Sequence, residues 1–111
     1  MFSFRSKPDK EQLISRLKRQ GYLKSQNVER AVRLVPREEF IPSHLRSDAY
    51  RDAPLPIYHG QTISAPHMCV IMCELLELEE GHRVLEVGAG SGYHAALCAE
   101  IVAPDTAENP G

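Results

Sequence analysis

The sequence predicts an α/β chain in which amphipathic helices lead into a strand–loop–helix corner of the kind that binds nucleotide-type ligands. Three observations carry this. Val84-Leu85-Glu86-Val87 has the length and Val/Leu content of a strand buried on both faces, as in a parallel sheet. Gly88, Gly90 and Gly92 follow at alternate positions, where the backbone can turn tightly and approach a ligand without a Cβ in the way. From Tyr93 to about Val102 the pattern is helical, so the free N–H groups of the first turn point back at the loop.

The elements before this corner follow from local signals. Residues 8–20 form a basic amphipathic helix with Leu13, Ile14 and Leu17 inward, stopped at Gly21. Ser25 caps a second helix whose Val28, Ala31, Val32 and Val35 make an apolar stripe, broken at Pro36. Residues 40–63 are mostly loop, anchored by Tyr50 and Ile57, and too rich in Pro and Gly for regular structure. Ser64 fits a helix N-cap with Pro66 in the first turn; that helix places Met68, Ile71, Met72, Leu75 and Leu76 on one buried stripe and ends before Gly81. Residues 103–111 have no apolar period and read as a disordered tail.

The spacing of the glycines narrows the ligand. A dinucleotide fingerprint would place its third small residue at Tyr93, which is too large for close helix–strand packing. A phosphate-binding P-loop needs Lys and Ser/Thr after its last glycine, and neither follows. Acid-x-Gly-x-Gly-x-Gly, with Glu86 two residues before Gly88, resembles the first motif of the class I S-adenosylmethionine-dependent methyltransferases; the alternative is a plain glycine-rich turn.

A second motif sharpens the resemblance. Pro54-Leu55-Pro56-Ile57 and Gly60-Gln61-Thr62-Ile63-Ser64-Ala65-Pro66-His67-Met68 stand about twenty residues ahead of the glycine loop. With Val35-Pro36-Arg37-Glu38-Glu39-Phe40 before them and His94-Ala95-Ala96 after, they resemble the protein-L-isoaspartate (D-aspartate) O-methyltransferase family over roughly residues 35–102. Two ordered motifs at the family's separation are far more specific than the loop alone.

That resemblance implies a doubly wound, Rossmann-like methyltransferase fold with S-adenosyl-L-methionine as cofactor. The implied reaction is methyl transfer to the free carboxylate of L-isoaspartyl or D-aspartyl residues in damaged proteins and peptides. Ser64 would be the active-site serine, orienting cofactor and acceptor rather than attacking, since no triad is in sight to activate it. Gln61, Thr62 and Ile63 would line the transfer centre, Gln61 at a position whose type varies in the family. Gly88, Gly90 and Gly92 would receive the methionine end of the cofactor, with Glu86 fixing the loop. His94 reads as a surface or helix-start histidine rather than a base.

Only one strand is legible, and a lone strand has no partner for its backbone groups. The family's second strand, ending in an acid for the cofactor ribose, is expected where Pro104 onward stands instead. The expected organisation is therefore a single incomplete domain: helices and substrate-side loop over 1–60, the start of the cofactor core over 61–102, and the tail. Truncation, a frameshift or a split gene would each produce it. By itself such a chain is expected to be weakly active or inactive; alternatively it is a non-catalytic binding module, or half of a two-chain enzyme completed by a second polypeptide.

Composition sets the remaining bounds. The net charge of −2 favours neither nucleic acid nor a membrane surface. It is unevenly spread, +6 through Arg51 and −8 beyond. A nucleic-acid arm can look like this, but solvated helix faces, with the basic half docking on the acidic one, explain it better, and neither a nucleic-acid nor a membrane partner is assigned. No apolar run approaches a transmembrane length. Three cysteines without a secretory signal fit a reduced cytoplasmic setting. Cys69 and Cys73 lie four apart on one helix and could in principle bind a metal, but with His67 off that face and Cys98 on another helix they read as buried free thiols, and no metal site is assigned.

Overall fold

The computed structural model describes residues 8–104. Four helices enclose its core: α1 (Lys10–Arg19), α2 (Gln26–Leu34), α3 (Pro66–Leu76) and α4 (Tyr93–Val102). Between α2 and α3 run three 3₁₀ turns, Arg37–Phe40, Ser43–Asp48 and Tyr58–Gly60, and a minimal antiparallel pair, β1 (Leu55–Pro56) and β2 (Thr62–Ile63), which the last of the turns connects. In that pair Leu55 stands opposite Ile63 and Pro56 opposite Thr62.

α1 starts in a capping box. Asp9 Oδ1 accepts from the Gln12 backbone N–H at 2.8 Å, and Gln12 Oε1 accepts from the Asp9 N–H at 2.9 Å, so two orphan donors are satisfied reciprocally. The helix buries Leu13, Ile14 and Leu17, and Gly21 leaves it at φ +82°. α2 turns Val28, Ala31 and Val32 inward against α1 and α4. Leu97, Cys98 and Ile101 of α4 and Cys69, Val70 and Cys73 of α3 complete the core. Arg30 of α2 reaches Glu100 of α4 at 3.8 Å, a link between the basic and acidic halves. Among the described residues the other ion pairs of the basic half are internal to it, Lys18 and Arg33 both meeting Glu29.

Capping departs from the sequence expectation at two helices. Ser25 occupies the N-cap position of α2, but its hydroxyl does not cap the helix. Glu74, from α3, instead braces the chain entering the helix: one carboxylate oxygen accepts from the N–H groups of Lys24 and Ser25, each at 2.8 Å, and from Ser25 Oγ at 3.2 Å. At α3 the N-cap is Ala65, not Ser64, and Pro66 takes the first position. The His67 N–H there donates to Asp52 Oδ1 at 2.9 Å. In both places a distant carboxylate, not the local hydroxyl, holds the start of the helix.

Two burial expectations are also corrected. Residues 84–87 form no strand among the described residues, and they are not buried: Leu85 and Val87 are each 90% exposed. No neighbouring strand pairs with them, so their N–H and C=O groups stay toward water. On α3 the predicted stripe is the outer one. Met68, Leu75 and Leu76 are exposed and Ile71 and Met72 half-buried, while Pro66, Cys69, Val70 and Cys73 face the core. α3 is apolar on both sides, so periodicity alone could not choose the inward face. The stretch Ala107–Gly111 of the expected tail lies outside the described residues, as do Asp105 and Thr106.

Candidate functional site

The segment after β2 and the glycine loop come together. Thr62, Ile63 and Ser64 share a cavity of about 290 Å³ with Glu86, Gly88, Ala89, Gly90 and Ser91, closed beneath by Cys69, Met72, Tyr93 and His94. Six of the eight residues singled out from the sequence therefore line one space. Gln61 lies beside it, on a cavity of about 490 Å³ that shares Gly90 and Ser91 with the first. A cavity of about 550 Å³ between α1 and Tyr50 is remote from both motifs.

The glycines earn their positions by conformation. Gly88 and Gly90 sit at φ +73° and +57°, in the left-handed region, and a Cβ on either would meet nothing within 4 Å. The space before them is thus open to a ligand. Gly92 lines neither cavity. It is the left-handed residue at which α4 begins, with the Phe40 ring 3.9 Å from where its Cβ would be.

Ser64 is exposed, and its hydroxyl makes no hydrogen bond among the described residues. What holds it is its carbonyl, which accepts from Arg37 Nη2 at 2.9 Å. Arg37 is fully buried. Its Nε donates to the Ala49 carbonyl at 2.7 Å, and its guanidinium carbon lies 4.9 Å from the centre of the Tyr93 ring. Burial lowers the Arg37 pKa, a pull that Tyr93 opposes, and desolvation raises that of Tyr93. One side chain so ties the loop at Ala49, the candidate serine and the first residue of α4.

Glu86 was expected to fix the glycine loop, and His94 to be a surface or helix-start histidine; it is at the helix start, as the second residue of α4, but not at the surface. The two are partners instead. Glu86 Oε2 lies 2.8 Å from His94 Nδ1, and the His94 side chain is only 15% exposed. A hydrogen bond with Cys98, aided by that with Glu86, raises His94 to about 9 against the opposing effect of burial. The pairing fastens the residue before the loop to the helix after it. Sequence reasoning missed Arg37, Asp52 and His94 as organisers of the site. Arg37 and His94 sat inside the quoted motifs, but nothing in their type or spacing indicated inward-facing positions.

Comparison with known proteins identifies the family. The family model described as protein-L-isoaspartate(D-aspartate) O-methyltransferase matches residues 8–107. The chain belongs to that family. A protein-L-isoaspartate O-methyltransferase of Methanopyrus kandleri is 62% identical over 96 residues, covering 86% of this chain and 42% of the relative. That of Hyperthermus butylicus is 60% identical over 95 residues, covering 86% and 39%. Among solved structures, a Plasmodium falciparum protein-L-isoaspartate O-methyltransferase in complex with S-adenosyl-L-homocysteine superposes with a TM-score of 0.73 at 35% identity, covering 84% of this chain and 42% of its own. The fold is therefore that of the protein-L-isoaspartate O-methyltransferases, and the chain spans about two-fifths of the length of the relatives it matches. Among the described residues no helix is long and apolar enough to cross a membrane.

Proposed function

We propose that the chain serves methyl transfer from S-adenosylmethionine to the free carboxylate of L-isoaspartyl or D-aspartyl residues in damaged proteins, a repair reaction of the cytoplasm. The observation that carries this is the cavity on which Thr62, Ile63 and Ser64 face Glu86, Gly88 and Gly90.

The residues present fit the methionine end of that cofactor: two glycines with open space before them and an exposed serine hydroxyl across the cavity. When bound, the cofactor supplies an electrophilic methyl group. The acceptor needs little activation, because a carboxyl group with a pKa of about 4 is already ionised at neutral pH. The chain's own work is to align the two and keep water out. Gly88 and Gly90 admit the cofactor backbone, Thr62 and Ile63 wall the transfer centre with Gln61 beside them, and Ser64 Oγ orients the acceptor. Gly92 and Glu86 act one step back, setting the start of α4 and holding the loop to His94.

No second strand with a terminal acid for the ribose follows α4 among the described residues. The 111 residues by themselves are accordingly proposed to turn over less than a tenth as fast as a full-length relative. Completion by a second polypeptide is the other reading that an observation favours, since Leu85 and Val87 present apolar side chains to solvent.

The test uses the chain alone and the chain complemented by the remaining segment of a relative. Calorimetry with S-adenosyl-homocysteine and radiolabelled methyl transfer to an isoaspartyl peptide are measured on both. Gly90→Val should abolish cofactor binding, because a β-branched residue resists positive φ and fills the open space. Ser64→Ala should keep cofactor affinity and lose methyl transfer. Since Ser64 is not the N-cap, its stability should change by no more than about 0.5 kcal/mol. Normal cofactor binding by Gly90→Val would reduce the glycine loop to a turn and sink the reading.

A further inference from the structure

Between α3 and α4 lies a side-chain cluster whose two cysteines have no part in methyl transfer as proposed above, and whose histidine also closes the candidate cavity. Cys73 of α3 and His94 and Cys98 of α4 bring their ligand atoms within 4.8 Å of one another. We propose that Cys73 Sγ, Cys98 Sγ and His94 Nε2 form a binding site for a thiophilic divalent cation, zinc(II), with Glu86 as the carboxylate that orients the imidazole.

The donor set is the first argument. Two thiolates and one imidazole suit zinc, and cysteine sulfur disfavours the harder magnesium and calcium. The geometry is the second. A tetrahedral zinc site with ordinary bond lengths holds its ligand atoms roughly 3.5–3.8 Å apart. His94 and Cys98 are one helical turn apart on α4, which sets Cys98 Sγ 3.9 Å from His94 Nε2 and 4.0 Å from Nδ1, so a turn of the ring aims Nε2 at the metal. Small rotations of side chains would close the rest.

Glu86 supplies the third argument, and it is independent of the cluster. Histidines that ligate metals characteristically donate their other ring N–H to a carboxylate, which fixes tautomer and ring orientation. Glu86 Oε2 holds His94 Nδ1 at 2.8 Å, leaving Nε2 for the sulfurs. Its second oxygen, Oε1, is buried without a partner among the described residues. A cavity of about 550 Å³, lined by Glu86, Ala89, Ala95, Cys98 and Ala99, offers the way in.

Charge also balances. Cys73 and Cys98 are buried, and two buried thiolates without a cation would be costly. A dication neutralises both, and the thiol protons leave to solvent as it binds. Cys69 is buried on the same helix but is not part of the cluster, so it serves as an internal control.

The experiment takes the whole chain, stripped with chelator and kept reduced by a phosphine. Cobalt(II) is titrated first, because thiolate-to-cobalt charge transfer counts coordinated sulfurs; zinc(II) affinity is then measured by competition against a chromophoric chelator. The expected result is one cobalt per chain, a charge-transfer intensity of two thiolates, and displacement by zinc. Cys73→Ser, Cys98→Ser and His94→Ala should each weaken zinc at least tenfold, Glu86→Gln about tenfold or more, and Cys69→Ser not at all. Circular dichroism identifies any variant that fails to fold, and for those the parent's spectrum decides. Absence of the charge-transfer band in the folded parent overturns the proposal. So does loss of zinc on Cys69→Ser equal to that on Cys98→Ser, or a reduced chain that forms the Cys73–Cys98 disulfide in air at the same rate with and without zinc.

Discussion

Arg37 joins more of the site than any residue named for chemistry. Its guanidinium is removed from water, yet it donates to the carbonyls of Ala49 and Ser64 and lies over the Tyr93 ring. Desolvating the charge costs free energy, and the two carbonyl bonds and the ring face offset that cost. Cutting the side chain back to Met would leave the buried bond to the Ala49 carbonyl and the part-buried one to the Ser64 carbonyl without their donor. A hydrogen bond from a charged donor contributes about 1.5–3 kcal/mol. With two bonds lost and the desolvation cost relieved, Arg37→Met should destabilise the chain by about 2 kcal/mol, read as a lower urea midpoint at unchanged slope. Arg37→Lys should recover only part of it, since a single ammonium does not reproduce the planar fork that spans two carbonyls. A loss below 0.5 kcal/mol for Arg37→Met would mean that Ala49 and Ser64 find other partners. Residue types alone did not disclose this clamp, because an arginine between Pro36 and Glu38 looks like a solvated charge.

At the scale of elements, the helices were legible where the signal is local. The inward Leu13-Ile14-Leu17 stripe and the stop at Gly21 are short-range features, and α1 has them as expected; the capping box at Asp9 is equally local but was not read from the sequence. α4 likewise begins at Tyr93 and ends at Val102. The misreadings sit where a distant residue decides. Ser64 looks like a cap until Asp52 is seen supplying the acceptor for His67, and Ser25 looks like one until Glu74 is seen bracing the chain that enters α2. A carboxylate 49 residues away holds the start of the helix because it accepts two N–H groups and adds negative charge at the positive end of the helix. Glu74→Ala should therefore cost about 1–2 kcal/mol and specifically loosen the start of α2. Amide exchange resolved by residue checks it: Lys24 and Ser25 should lose protection, while the middle of α1 keeps its own. Ser25→Ala, by contrast, should change little. Equal effects of the two substitutions would restore the local cap.

The whole molecule explains why the strand failed to appear. Sequence reading found the right ingredients at residues 84–87 and also their lack of a neighbour; the structure answers by leaving them outside any sheet. Residues 62–64 and the glycine loop still line one cavity, because that juxtaposition rests on the turn of the loop and the anchoring of residues 62–64, not on a ladder. The cost falls on the surface. Leu85, Val87 and Leu75 are 90%, 90% and 76% exposed, with Met68 and Leu76 also open. Met72 and Val87 line the same cavity, so the outer face of α3 and the unpaired segment meet there. Each large aliphatic side chain taken out of water returns roughly 1.5–3 kcal/mol, and an apolar segment with free N–H and C=O groups is a template for another chain. The 111-residue chain should consequently self-associate at micromolar concentration, seen as a mass above the monomer in light scattering that grows with concentration. Placing charges on the segment, with Leu85→Lys and Val87→Lys together, should return it to monomer without lowering its melting temperature, because neither side chain contributes to the core. A parent chain that stays monomeric at tens of micromolar and melts in one sharp transition would show that the exposed segment is tolerated in isolation. Association through α3 alone would then also be excluded, since the same apolar face would have been free to drive it.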